Sequence, residues 1–196
     1  SGSGCTGRKL TDGCVDAWVF SPFSGGTNSY DGNLYYLPAV DDTKNYSEGA
    51  FVVNEDWFGH RNSAVTFLSN DGKWNYKAVE DVGCTACFGT FYGNKFYAIA
   101  KQAKDKSASV TGGRITICNG TTMGIVNQIE NIDAAKGADG RSFLGVDEHK
   151  AYVSTSNGIY VLDLNTEKIT GEVTMDGNSI VGECGNMVRK DDRVYA

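Results

Sequence analysis

Basic residues are outnumbered in this chain: 18 Lys and Arg stand against 24 Asp and Glu, a formal charge of −6, and no Lys/Arg stripe runs along it. A nucleic-acid partner is therefore not expected, since phosphate binding needs a basic footprint that releases counterions. Proline is nearly missing, with 2 residues, and His60 and His149 are the only 2 histidines. So small a histidine stock leaves little for metal ligation or general-base chemistry, and neither a metal nor a cofactor is expected. The longest apolar runs, such as Ile159 to Leu162, are far too short to cross a bilayer. No charged segment followed by an apolar one opens the chain, which reads as a mature segment. Residues 1–14 are read as a tail, with Ser1-Gly2-Ser3-Gly4 of linker composition, ahead of a folded domain over 15–196. No stretch holds apolar residues at i, i+3, i+4 and i+7 between caps; the most helix-like piece, Asn131 to Gly140, carries two glycines and reads as a loop.

What the chain does have is glycine, 25 residues, together with 10 Tyr and 9 Phe, a balance suited to pleated strands joined by tight turns. Six cysteines occur, Cys5, Cys14, Cys84, Cys87, Cys118 and Cys184. Cys84-Thr85-Ala86-Cys87 is a lone CxxC without a second pair or a nearby histidine, a poor zinc site. Cys87 leads into Phe88-Gly89-Thr90-Phe91, a strand-like run, where a redox motif would lead into a helix. Cys87, Cys118 and Cys184 read as core or inter-strand thiols. Cys5 and Cys14 bracket a polar loop, and a local disulfide there stays open for an oxidising compartment; the pairing of all six is undecided.

A repeat organises the rest. Three passages share an apolar strand, a polar turn ending in a base, and a strand with Tyr second: Phe88 to Ala98, Leu144 to Val153 and Met187 to Ala196, with Tyr97, Tyr152 and Tyr195 in register and an earlier copy at Ala50-Phe51-Val52. Between these markers come three strand-turn-strand units. They run Ala64 to Leu68 and Trp74 to Val79, Arg114 to Cys118 and Gly124 to Ile129, and Gly158 to Asp163 and Ile169 to Val173. Their turns carry Asp71-Gly72, Asn119-Gly120 and Asn165-Thr166, and the Asn-Gly and Asp-Gly pairs suggest two-residue hairpins. Two hairpins per unit make four antiparallel strands, and a four-stranded repeat of roughly 40–50 residues is the signature of a β-propeller blade. The expected fold is all-β: a β-propeller of four-stranded antiparallel blades near 50–80, 86–132, 142–175 and 183–196, about four in number. A β-sandwich is the alternative. The last unit stops at Ala196 after two strands, so the chain is expected to be a partial propeller or a fragment, unless Ala17 to Phe20 and Leu34 to Leu37 supply the missing strands and close a ring.

The run Gly158 to Ile169 is similar to YncE-like, or YVTN-type, propellers. The runs 49–72, 112–119 and 140–163 resemble a DUF5074-type family of surface lipoproteins of gut bacteria, over about residues 47–196. That resemblance implies an extracellular propeller at the outer cell surface that captures a nutrient, such as a corrinoid or a glycan, beside an outer-membrane transporter. Membrane attachment would be expected only through a lipid anchor, and none is expected within this chain.

The densest polar and aromatic cluster is Asn54 to Asn62, placed on a loop between two strands. There Trp57 and Phe58 are suited to stacking on a planar or sugar ligand, and His60 and Arg61 to fixing an anionic or amide group. Lys101 to Gly113 is the corresponding loop of the next unit, so Lys101, Gln102 and Lys104 are expected on the same concave face. Arg141, entering the third unit, is the remaining candidate. Catalysis is poorly provided for: no G-x-S-x-G elbow is present, and the adjacent Glu55 and Asp56 point apart on a strand end. The expected function is non-catalytic ligand capture. A propeller carbohydrate-active enzyme and a protein–protein scaffold are the alternatives, and no catalytic residue is assigned.

Overall fold

The structure, a computed structural model, describes residues 44–55, 62–102 and 113–196. The described residues form strands and turns without a helix. Three sheets follow one another. The first holds β1 (Gly49–Asn54), β2 (Ala64–Ser69) and β3 (Trp74–Val79) in that order. The second holds β4 (Cys84–Tyr92), β5 (Lys95–Gln102), β6 (Arg114–Asn119) and β7 (Ile125–Ile129), and the third β8 (Gly140–Gly145), β9 (Lys150–Thr155), β10 (Gly158–Asp163) and β11 (Lys168–Glu172). Each is an antiparallel meander in which every strand pairs with its neighbour in sequence. A small hairpin of β12 (Thr174–Met175) and β13 (Asn178–Ser179) follows, and then a hairpin of β14 (Val188–Lys190) and β15 (Arg193–Tyr195).

The repeat read from the sequence is a repeat of register. Lys95 faces Asn119 and Lys150 faces Asp163, as Gly49 faces Ser69. At the adjoining turns, the backbone N–H groups of Asn70, Gly120 and Leu164 donate to the carbonyls of Glu48, Asn94 and His149 at 3.1, 2.8 and 2.8 Å. Counting from these bonds, Phe51, Tyr97 and Tyr152 occupy one position of three successive sheets. Tyr195 holds the same place in the last hairpin, two residues past its turn, paired with Val188.

That position has a structural task. Phe51 packs on Phe91 and Phe96 of the second sheet, with ring centres 5.3 and 5.8 Å away, and Tyr97 stacks on Phe143 of the third at 4.4 Å. Alternation along a strand sends odd and even residues to opposite faces. In β5, accordingly, Phe96, Ala98 and Ala100 meet the first sheet while Tyr97 and Ile99 meet the third. The second sheet is thus covered on both faces, which is why Phe96 to Ala100 is an unbroken buried run. Two apolar layers result: Val65, Val79, Phe96 and Cys118 between the first and second sheets, and Ile115, Ile117, Phe143, Val153 and Leu162 between the second and third. Burying each large side chain contributes about 1.5–3 kcal/mol.

Charged groups tie the sheets at their rims. The guanidinium of Arg114, with its side chain 5% exposed, bonds Asp81 at 2.9 Å and Glu130 at 3.0 Å, so it joins the crossover leaving β3 to the end of β7. Lys95 on β5 pairs with Glu167 in the turn before β11.

The turns of the three strand-turn-strand units differ from expectation. They are not two-residue hairpins but loops of four or five residues, 70–73, 120–124 and 164–167. Asn119 does not supply a left-handed backbone; its Oδ1 accepts the N–H groups of Thr121 and Thr122, both at 2.9 Å, and Asp163 does the same for Asn165 and Thr166 at 3.0 and 2.7 Å. Each of these side chains caps the start of its own turn, and the left-handed backbone falls at the turn's end instead, at Met123 (φ 57°) and Glu167 (φ 53°).

Candidate functional site

Strand direction sorts the connections onto two ends. The turns 93–94, 120–124, 146–149 and 164–167 lie at one, the hairpin end. The connections 55–63, 103–113 and 156–157 and the passages from sheet to sheet leave from and return to the other, the crossover end. Trp57, Phe58, His60 and Arg61 fall outside the described residues, as does Lys104, but their flanks Glu55 and Asn62 lie at the crossover end.

Ser63 fixes that root. Its hydroxyl donates to the carbonyl of Glu55 at 2.7 Å and accepts the N–H of Ala86 at 2.8 Å, so the stem of the 56–61 connection is fastened to β4 of the next sheet. Just before this contact, Thr85 is fully buried and left-handed at φ 58°, an uncommon state for a β-branched residue. The kink precedes a register shift between Ala86 and Phe88. Cys84 is thereby buried, while Cys87 is exposed as a residue but turns its sulfur toward the third sheet.

Lys101 and Gln102 are the last two residues of β5 rather than loop residues, and Gln102 pairs with Cys84. Gln102 Oε1 is buried and has no hydrogen-bond partner among the described residues. Arg141 is the second residue of β8, and its Nη1 donates to the Gly140 carbonyl at 3.0 Å while its Nε binds Glu183 Oε1 at 2.7 Å. The Cys87 sulfur lies 3.5 Å from the Gly140 carbonyl oxygen and 3.3 Å from that of Arg141.

These groups share one field. Loss of water raises the Cys87 thiol pKa above its ordinary value, Lys101 and Arg141 pull it down, and Glu55 pushes it up. The carbonyl oxygens around the sulfur also oppose a thiolate, in the same direction as the loss of water. Glu183 is held below the usual carboxylate range, first by the hydrogen bond from Arg141, then by the charges of Arg141 and Lys101. The structure thus brings Lys101, Gln102 and Arg141 to one end with Glu55, Cys87 and Glu183, from all three sheets. Sequence reasoning missed Cys87, Ser63 and Glu183. Strand-like context marked Cys87 as a core thiol, and Glu183 stands in a Gly-rich segment that carries no motif.

Among the described residues the cluster offers two cations, two carboxylates and an amide oxygen without a hydrogen-bond partner. It has no histidine among the described residues: His149 lies at the hairpin end, exposed, 3.2 Å from Glu148. No group of three His, Cys, Asp or Glu side chains suited to a metal ion occurs among the described residues.

No curated protein matches the chain. Residues 48–196 match the family described as Domain of unknown function (DUF5074), a stretch that begins one residue before β1 and takes in every described sheet. The protein belongs to that family.

Proposed function

We propose that the protein is a non-catalytic ligand-capture module, displayed outside the cell and built as part of a YncE-like propeller. Face-to-face stacking of up-and-down four-stranded sheets, with one aromatic position repeating as the inter-sheet contact, supports the propeller reading. The observation that carries the capture reading is the convergence of Glu55, Lys101, Gln102 and Arg141 from three consecutive sheets at the crossover end. Loops there root on rigid strands, the arrangement in which binding residues are held in place by a scaffold.

Arg141 and Lys101 are suited to an anionic or amide-bearing ligand, with Glu183 as the counter-ion that Arg141 releases on binding. Gln102 Oε1 supplies an acceptor for a ligand N–H or O–H. A corrinoid, with its amides and phosphate, offers both kinds of group, and an outer-membrane transporter would be the receiving partner. A glycosidase would need one carboxyl held protonated near neutral pH. Glu183 is displaced the opposite way, which speaks against that chemistry.

Calorimetric titration with cyanocobalamin and with acidic oligosaccharides tests the reading. Arg141→Ala and Lys101→Ala should each weaken binding, with a dependence on salt, and Trp57→Ala by tenfold or more. Unchanged affinity in all three variants would move the capture site elsewhere.

A further inference from the structure

The hairpin end holds a second feature, unconnected with the crossover cluster. A cavity of about 760 Å³ opens between the first and second sheets, lined by Tyr46, Phe51, Phe91, Asn45, Thr121 and Thr122 among others. Its aromatic wall belongs to a five-ring cluster: Phe51 lies 4.9 Å from Phe67 and 5.3 Å from Phe91, Phe91 lies 5.0 Å from Phe96, and Tyr46 rests on Phe67 at 5.3 Å. Phe67 and Phe96 form the buried back of the cluster, whereas Phe91 is 45% exposed.

The matching place between the second and third sheets is filled. Tyr92 occupies there the register position of Tyr46, and its ring lies flat over Gly145, where a Cβ would come within 2.1 Å of it. Its hydroxyl reaches the Asp147 carbonyl at 3.1 Å. Gly145 pairs with Ala151 as Phe91 pairs with Phe96, so Phe91 stands where the next sheet has glycine. A phenyl ring in that position denies Tyr46 the seat that Tyr92 takes. Among the described residues, one sheet junction is sealed and its register twin is open.

We infer that this open junction is a binding site for a neutral saccharide, taken as a sugar ring against Phe91 and Phe51 with its hydroxyls toward Asn45, Thr121 and Thr122. The volume falls in the range of small-molecule sites, which combine apolar walls with a few polar groups. The rim is chemically selective. Among the described residues its polar groups are hydroxyls and an amide, Lys44 is its one cation, and no carboxylate lines it. Such a rim suits an uncharged polyol. None of the described lining residues offers the paired cations that a phosphate or carboxylate ligand would draw on.

A printed array of neutral oligosaccharides, followed by calorimetric titration of the best-bound sugar, tests the site on the full chain. Wild-type protein should bind. Phe91→Ala should weaken binding at least tenfold, as loss of an aromatic anchor does. Thr121→Val keeps the shape of an exposed side chain, so folding is untouched, and should weaken binding roughly two- to tenfold through one lost hydrogen bond. Arg141→Ala, at the far end, should leave it unchanged, which separates this site from the capture cluster. The inference is overturned if no neutral saccharide binds, if adenosine or flavin binds in its place, if Phe91→Ala and Thr121→Val bind as wild type does, or if Arg141→Ala abolishes the binding.

Discussion

Replacing Gly145 by alanine places a methyl group where the Tyr92 ring lies, with ring carbons 2.1 and 2.3 Å from the new Cβ, far inside contact distance. The ring has to leave. It gives up the bond to Asp147 and its packing at 6.0 Å on Phe143. Overpacking of this kind costs about 1–3 kcal/mol, and the exposed hydrogen bond adds at most about 1 kcal/mol. Against these, alanine restricts the unfolded chain and returns about 0.4–1 kcal/mol. Net destabilisation of about 1–3 kcal/mol is expected, which for a chain of this size lowers Tm by about 2–12 °C. In a Tyr92→Ala background the obstacle is gone and only the unfolded-state term remains. Gly145→Ala should there be neutral or stabilising by up to about 1 kcal/mol. Urea unfolding of the four proteins in this cycle, with m constant across them, measures the coupling. Equal destabilisation in both backgrounds would refute the claim that Tyr92 seals this junction.

Arg114→Met should cost about 1–3 kcal/mol in the same assay: two charge-assisted bonds are lost, but Asp81 and Glu130 are each more than half exposed and regain water. A loss above about 4 kcal/mol would show that those carboxylates are less hydrated than their exposure indicates. The acid limb of stability follows from carboxylates whose folded pKa is depressed, Asp71 to about 2 by Lys73 and Ser69, and Glu172 and Glu183 downward by Lys136 and Arg141. A depressed pKa gives a contribution fully present above the ordinary carboxylate value and lost as pH falls through the folded one. Tm should therefore drop below about pH 4.5, and Glu183→Gln should make that drop shallower by lowering Tm at pH 7 more than at pH 2.5. An identical pH profile for the variant would remove the Arg141–Glu183 pair from the account.

The sheets were legible because the repeat is physical. Strands that stack in series must each present an aromatic to the next, and so Phe51, Tyr97, Tyr152 and Tyr195 recur at one register. Turn chemistry was less so. Asn119-Gly120 has the composition of a tight hairpin, yet the same asparagine can cap a longer loop with its side chain, and sequence alone does not separate the two uses. Lys101 and Gln102 could be set beside the 54–62 connection because the repeat makes the two connections equivalent, whereas the arrival of Arg141 at that end shows only in the structure. The saccharide groove was invisible: it depends on Phe91 and Gly145 being register equivalents, and the register shift inside β4 and the irregular 146–149 turn hide that equivalence in a linear reading. Glu183 was equally hidden, since its partner Arg141 lies 42 positions away in sequence.

Coverage of the second sheet on both faces also sets an order in time. Amide protons in stacked repeats exchange when a unit peels from its neighbours, and a unit held on two sides must break two interfaces to open. The amides of Phe96 to Ala100 and Ile115 to Cys118 should accordingly be the last in the described sheets to take up deuterium, after those in β2 and β10. The innermost record of the fold would then lie in β5 and β6, so that solvent enters at the flanks and reaches Tyr97 last.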